Sequence, residues 1–88
     1  MSISDTLNER QKTHGSFADN AYHSQRLKDL FRAGPNWRHY TPIQREALDY
    51  YACKISRILS TEGYNGDDWH DIAGYSTLVE KWIKGETL

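Results

Sequence analysis

Cysteine is almost missing from this chain of 88 residues, which contains only Cys53. An internal disulfide framework is therefore excluded, and a reducing compartment such as the cytoplasm fits best. A chain this short buries a smaller share of its surface than a larger domain does. Without disulfides, its extra stability has to come from close packing, a bound metal ion or oligomerisation.

Long apolar runs, a signal peptide and clusters of basic residues are absent as well. No stretch approaches the length of a membrane-spanning helix, and the first five residues do not resemble the start of a signal peptide. The net charge is −1, with Lys and Arg spread along the chain, so the electrostatic footprint of a nucleic-acid-binding protein is missing. We expect a cytoplasmic protein that has no membrane association and binds no nucleic acid directly.

The familiar catalytic motifs are also lacking. The sequence has no Gly-x-Ser-x-Gly, no Gly-rich phosphate loop and no paired Cys, and its four His residues lack zinc-ligand spacing. What it has in excess is aromatic residues, with three Trp and six Tyr. Large aromatics are enriched at protein interfaces, so we expect a homodimer or homotetramer.

Helix start and stop signals predict a single all-α domain over residues 1–88, with three main helices and a short N-terminal one. The short helix covers residues 4–13, with Ser4 as its N-cap and Gly15 as its stop. Because this segment is polar, we expect residues 1–15 to be loosely attached to the rest of the domain.

The second helix is predicted from Phe17 to about Ala33. Ser16 and Asp19 resemble a capping box at its start, and Gly34-Pro35 ends it. One apolar stripe follows the helical period and comprises Phe17, Ala21, Ser24, Leu27 and Phe31. The loop that follows, residues 34–40, contains Trp37, Arg38, His39 and Tyr40, which either cover a core or bind a base or phosphates.

The third helix has the clearest start in the chain. Thr41 is the expected N-cap, Pro42 occupies the first helical position and Gln44 completes a capping box. Its apolar face comprises Leu48, Tyr51, Ile55, Ile58 and Leu59, and its polar face comprises Glu46, Asp49, Tyr50, Cys53, Lys54 and Arg57. A polar face usually meets solvent, so a functional role requires another helix or subunit to cover it.

The fourth helix is predicted from about Asp68 to Lys84, after a turn over residues 60–66 with Gly63 as the C-cap of the preceding helix. Asp68 projects toward the same side as the apolar residues of this helix, and Asp71 lies at the edge of that side. A carboxylate that faces a core is costly unless it is paired or bound to a metal.

Carboxylates therefore recur one turn apart on two successive helices. Glu46 and Asp49 share one helix face, and Asp68 and Asp71 share another, with Asp67 beside them. Two such helices could direct their oxygens at one hard cation such as Mg²⁺, which predicts a metal-dependent phosphate chemistry. The alternative is a capping role, in which Asp67 caps the fourth helix and its neighbours favour the positive end of the helix dipole.

Four blocks of the sequence resemble a small family of phage and prophage proteins of uncharacterised function. The blocks are Arg10-x-x-x-His14-Gly15-x-Phe17, Gln44-Arg45-Glu46-Ala47-Leu48, Lys54-Ile55-x-Arg57-Ile58-Leu59 and Asp67-x-Trp69-x-Asp71-Ile72-Ala73-Gly74-Tyr75. That family is similar to the MazG-like all-α nucleoside triphosphate pyrophosphatases. The resemblance implies a MazG-like bundle completed by oligomerisation and, if the chain is phage-encoded, a location in the host cytoplasm.

MazG-like enzymes carry Glu-Glu-x-x-Glu on one helix and Glu-x-x-Asp on the next, and these residues bind Mg²⁺. Glu46 and Asp49 match the second and third positions of the first motif, whereas Arg45 stands in place of its first Glu. Asp68 and Asp71 have the spacing of the second motif, although the pattern of the small family points to Asp67 and Asp71.

The resemblance implies hydrolysis of a (deoxy)nucleoside triphosphate with release of pyrophosphate. Mg²⁺, or alternatively Mn²⁺, would be held by Glu46, Asp49, Asp67, Asp68 and Asp71, with Glu46 and Asp49 as catalytic residues. Substrate contacts are expected from Lys54, Arg57, His14 and Tyr75. The alternative is a catalytically silent phage-type interaction protein that keeps the fold and binds a host protein or a nucleotide.

Overall fold

The computed structural model describes residues 2–62 and 66–88, which form helices and turns without any strand. Helices α1 to α4 span Ile3–His14, Phe17–Ala33, Pro42–Leu59 and Gly66–Ile83, and a short 3₁₀ turn covers Trp37–His39. The all-α prediction is confirmed. The predicted cap at Gly63 lies outside the described residues. No helix in the described ranges is long and apolar enough to cross a membrane.

The predicted helix starts are confirmed at α3 and at α2, which begins at Phe17 after Ser16, but not at α1. The side-chain oxygen of Gln44 accepts a hydrogen bond of 3.0 Å from the backbone N–H of Thr41, as the capping box requires. At α1, Ser2 takes the cap position predicted for Ser4, because its hydroxyl accepts from the N–H of Asp5 at 3.1 Å and the helix begins earlier. Ser16 stands at the N-cap of α2 without forming a side-chain cap bond.

Helix α3 is the central element and packs against both α2 and α4. These neighbours cover much of its polar face, so that face is not a solvated one. Tyr50 of α3 stacks on Tyr75 of α4 with ring centroids 4.5 Å apart, and Cys53 lies 3.6 Å from the hydroxyl of Ser24 on α2. The third helix therefore turns Asp49, Cys53, Lys54 and Arg57 toward the rest of the protein, while Glu46 stays exposed.

The buried core is small and partly polar. Among the described residues, the buried apolar side chains are only Ala47 and Ala52, whereas Asp68 is the largest fully buried side chain. Phe17 is 85% exposed and Leu59 is 61% exposed, so the prediction that they face a covered core is wrong. Both stand at helix ends, where a side chain has neighbours on one side only.

The dimensions of the chain show how little it buries by itself. Its radius of gyration is 15.0 Å, whereas a compact domain of this length has about 12 Å. Its accessible surface is 6512 Å², whereas a folded monomer of this mass exposes about 5,400 Å². The excess of about 1,100 Å² is comparable to the roughly 800 Å² that each partner buries in a standard protein interface.

Gly15 determines how α1 joins the other helices. Its φ of +78° is a left-handed conformation that favours glycine. A Cβ atom on Gly15 would lie 2.7 Å from the Cβ of Ser60, so the turn between α1 and α2 rests directly on the end of α3. This contact brings His14 close to the last turns of α3.

Candidate site at the α3–α4 interface and the neighbouring cavity

Helices α3 and α4 form an antiparallel hairpin whose register is defined by side-chain contacts. Arg57 faces Asp68, Lys54 faces Asp71 and Tyr50 stacks on Tyr75. Each step backward along α3 therefore matches an equal step forward along α4. Two carboxylates at i, i+3 on α4 meet two cations at i, i+3 on α3.

The Lys54–Asp71 pair is the shorter of the two. Lys54 Nζ donates to Asp71 Oδ2 at 2.9 Å, and the Lys54 side chain is only 13% exposed. The hydrogen bond from Lys54 holds the pKa of the Asp71 carboxyl below its usual value of 3.8, although partial burial acts in the opposite direction. A carboxyl whose pKa is lower in the folded state stabilises the fold above pH 3.8, and this contribution is lost as the pH falls through the lower folded value.

The Arg57–Asp68 pair is longer and more deeply placed. Arg57 Nη1 lies 3.9 Å from Asp68 Oδ1, and the Asp68 side chain is 3% exposed. The other oxygen, Asp68 Oδ2, is buried and has no hydrogen-bond partner among the described residues. Arg57 is thus the ionic partner of an almost inaccessible carboxylate. Removal of Arg57 would leave the buried negative charge of Asp68 without compensation.

The other predicted metal ligands lie elsewhere. Asp49 is held by α2, because both of its oxygens accept from the Arg32 guanidinium, at 3.2 and 3.1 Å. Glu46 is exposed on α3, and Asp67 is exposed in the first turn of α4. The structure brings Asp68 and Asp71 together with Lys54 and Arg57, and it does not bring them together with Glu46 and Asp49.

These positions do not fit one ion held jointly by the carboxylates of both helices. Asp71 lies opposite Lys54, and Asp49 is five residues from Lys54, which is about 7.5 Å along a helix axis. Mg²⁺ binds oxygens at about 2.0–2.1 Å, so both carboxylates would have to leave their ion pairs with Arg32 and Lys54 and turn toward each other to share it. In residues 2–62 and 66–88, no three His, Cys, Asp or Glu side chains are grouped to hold a metal ion. The magnesium site stays a prediction.

A cavity of about 520 Å³ lies beside this interface, between α1, α2 and α3. His14 and Arg57, two of the predicted substrate contacts, line it, together with Arg10 and Lys28. The other two predicted contacts have partners on the hairpin, since Lys54 pairs with Asp71 and Tyr75 stacks on Tyr50. Lys28 belongs to none of the sequence motifs described above.

His14 is a cavity-lining group whose pKa is shifted. Burial lowers its pKa below the usual 6.5, and the charges of Arg57 and Arg10 lower it further, while Asp68 acts in the opposite direction. The imidazole is therefore neutral near pH 7. Because its folded pKa is the lower one, protonation of His14 destabilises the fold as the pH falls below 6.5.

The aromatic and basic loop after α2 has a structural role. Trp37 lies between two guanidinium groups, with the Arg32 carbon 4.8 Å and the Arg45 carbon 5.4 Å from its ring centroid. Arg45 also donates to the backbone oxygens of Trp37 and Arg38, at 3.1 and 3.2 Å. Arg45 thus fastens the loop to α3.

The chain matches no protein-family model, no curated protein and no solved structure.

Proposed function

We propose that this chain is a catalytically silent binding protein with a MazG-like fold, in which two cationic side chains take the place of the divalent ion. The observation that carries the proposal is the hairpin register. Asp68 and Asp71, the two carboxylates of the Glu-x-x-Asp type motif, face Arg57 and Lys54 at 3.9 and 2.9 Å. Their charge is already balanced by groups that belong to the chain.

The electrostatic consequence is a lower affinity for a cation. A divalent ion at Asp71 would have to displace the Lys54 ammonium or lie beside it, and like charges at such short distances repel each other. The remaining carboxylates do not compensate, because Asp49 is held by Arg32 on another helix. The hairpin is stable as a set of ion pairs and needs no metal to relieve repulsion between carboxylates.

A Mg²⁺-dependent nucleoside triphosphate pyrophosphohydrolase is the second candidate. One observation favours it: Asp68 Oδ2 is buried and lacks a hydrogen-bond partner among the described residues. An oxygen of this kind is a free ligand position, and buried polar atoms in native proteins usually have a partner. In the proposed function the Arg57 charge lies beside the other oxygen of the same carboxylate, Asp68 Oδ1, whereas the second candidate places a metal ion at Oδ2.

Self-association is part of the proposal. The chain exposes more surface than a compact monomer of its mass, and its buried apolar side chains in the described ranges are two alanines. Large apolar side chains are exposed on all four helices, among them Leu7, Leu30, Leu59 and Trp69. We infer that copies of this chain cover one another, as a homodimer or homotetramer, and that the folded unit is the oligomer.

A pyrophosphate-release assay over the common NTPs and dNTPs, with Mg²⁺ or Mn²⁺, separates the two candidates. We expect no release above the protein-free rate, because the α3–α4 carboxylates are neutralised within the chain. Asp68→Asn is the matched variant, since it removes the charge and keeps the side-chain shape. Release that requires a divalent ion and disappears in Asp68→Asn would establish the enzyme and refute the proposed function.

A further inference from the structure

The cavity between α1, α2 and α3 has walls of one charge sign. Each helix contributes a cation, namely Arg10 from α1, Lys28 from α2 and Arg57 from α3. No Asp or Glu lines this cavity in the described part of the chain. The chain as a whole carries a net charge of −1, so this local excess of positive charge does not reflect a basic composition.

Two of the three cations are available to a ligand. Among the described residues, neither Arg10 nor Lys28 forms an ion pair, whereas Lys54, just outside the cavity, is bound to Asp71. In the part of the chain that the structure describes, the ion pair of the third cation, Arg57, is the long contact of 3.9 Å with Asp68. A cleft lined by one sign of charge concentrates counter-ions.

The cavity wall also contains polar atoms without partners. His14 Nδ1 and Asn20 Oδ1 are buried and make no hydrogen bond within the described ranges, and both residues line the cavity. The same Asn20 side chain is fixed by its amide, which donates to the backbone oxygen of His14 at 2.7 Å. Buried polar atoms usually have a protein or water partner. Asn20 Oδ1 accepts and therefore needs a donor such as water or a ligand N–H or O–H group, whereas His14 Nδ1 can donate to a ligand oxygen in its Nδ1–H tautomer.

We propose that this cavity binds an oligophosphate, with Arg10, Lys28 and Arg57 as its cationic contacts. The inference rests on the proposed function, because it names the ligand of a binding protein and leaves it unhydrolysed. Guanidinium and ammonium groups form strong charge-assisted hydrogen bonds with phosphate oxygens. Three such groups, one from each of three helices, suit a ligand with several linked phosphates better than a ligand with a single negative charge.

The size of the cavity and its apolar wall indicate that the oligophosphate could be part of a nucleotide. Its volume of about 520 Å³ lies within the roughly 300–1,000 Å³ of small-molecule sites. Leu7 and Phe17 also line it, and the Phe17 ring is 85% exposed. An exposed aromatic ring beside a phosphate site offers a surface on which a base can stack.

Titration calorimetry with tripolyphosphate and with ATP, without divalent ions and at low ionic strength, tests the proposal. We expect the wild type to bind both, and Lys28→Gln and Arg10→Gln each to weaken binding about tenfold, because each removes one charge-assisted hydrogen bond. Lys81→Gln and Lys12→Gln are the matched controls, since they make the same charge change outside the cavity wall. Circular dichroism verifies that each variant keeps its helices.

The ATP arm distinguishes a nucleotide from free oligophosphate. If ATP binds more tightly than tripolyphosphate and Phe17→Ala removes the difference, the ligand is a nucleotide. Equal affinities identify the oligophosphate alone as the recognised chemistry.

No binding by the wild type, or equal losses in Lys28→Gln and Lys81→Gln, would overturn the cavity as the site. Pyrophosphate release by a protein that still shows the Lys28 effect would instead refute the silent function and leave the cavity in place.

Discussion

Replacing Lys54 and Arg57 with glutamate is expected to turn the α3–α4 interface into a divalent-cation site. In the double variant, two carboxylates at i, i+3 on α3 face Asp68 and Asp71 on α4, in the register that the native ion pairs define. Four carboxylates at close range repel one another, and Asp68 is 2% exposed and cannot be solvated. Mg²⁺ or Mn²⁺ would relieve this repulsion, since carboxylate oxygens are the ligands that hard cations prefer.

The expected effect is large. Removing one partner of a buried ion pair costs about 3–5 kcal/mol, and each kcal/mol lowers the melting temperature of a small domain by about 4–8 °C. We expect a fall of at least about 12 °C in the presence of EDTA. Millimolar Mn²⁺ or Mg²⁺ should restore much of this loss by mass action, and matched NaCl should restore less of it.

Two control variants isolate the cause. Lys54→Gln/Arg57→Gln removes the same cations without adding carboxylates, so it should be destabilised and insensitive to divalent ions. Lys12→Glu/Lys81→Glu makes the same charge change on exposed positions and should stay near the wild type. A Lys54→Glu/Arg57→Glu protein that melts like the wild type in EDTA, or that gains nothing from Mn²⁺, would contradict the register.

The second large effect is expected on dilution. Because the chain leaves about 1,100 Å² more surface exposed than a compact monomer would, we expect the folded state to depend on contacts between copies. Light scattering should give at least twice the chain mass of 10.3 kDa. The melting temperature should rise with protein concentration, because association stabilises only the folded chain.

The concentration series carries its own control. The Lys54→Gln/Arg57→Gln variant changes the hairpin interior, so its melting temperature should be lower than that of the wild type at every concentration and show the same dependence on dilution. A stable monomer of 10.3 kDa with a melting temperature independent of concentration would show that the chain needs no partner copy.

Local signals in the sequence account for most of the helix bounds. Thr41, Pro42 and Gln44 predict the start of α3, because a cap is formed by residues within one turn of each other. The same locality explains the error at α1, where Ser2 and Ser4 offer equivalent hydroxyls and the sequence does not rank them. Short-range signals define a helix, but they leave its end uncertain by a residue or two.

The partners of the carboxylates could not be predicted in this way. Asp49 and Asp71 were expected to converge because each lies on a helix with a second acid at i, i+3. In the structure Asp49 of α3 pairs with Arg32 of α2, whereas Asp71 of α4 pairs with Lys54 of α3, so the two acids belong to two different helix interfaces. Which side of α3 each neighbour covers depends on the packing of whole helices.

For the cavity, too, the sequence indicates which residues share a helix face but not which faces meet. Arg10 and His14 are four residues apart on α1, and Ser24 and Lys28 are four residues apart on α2, so each pair shares a helix face. That spacing is a signal that the sequence contains. The meeting of the two faces depends on Gly15, whose turn rests against Ser60, and this contact is not evident from any local pattern.

Binding of Mn²⁺ to the wild-type protein tests most directly whether Lys54 and Arg57 take the place of a metal. The paramagnetic signal of free Mn²⁺ is followed as metal-free protein is titrated in, with Lys54→Glu/Arg57→Glu as the positive control. The ion pairs at Asp71 and Asp68 predict that the wild type leaves the free-ion signal unchanged at millimolar Mn²⁺, while the control variant removes it. Loss of the signal with the wild type, abolished by Asp71→Asn, would show that these carboxylates hold a metal ion and would contradict the account.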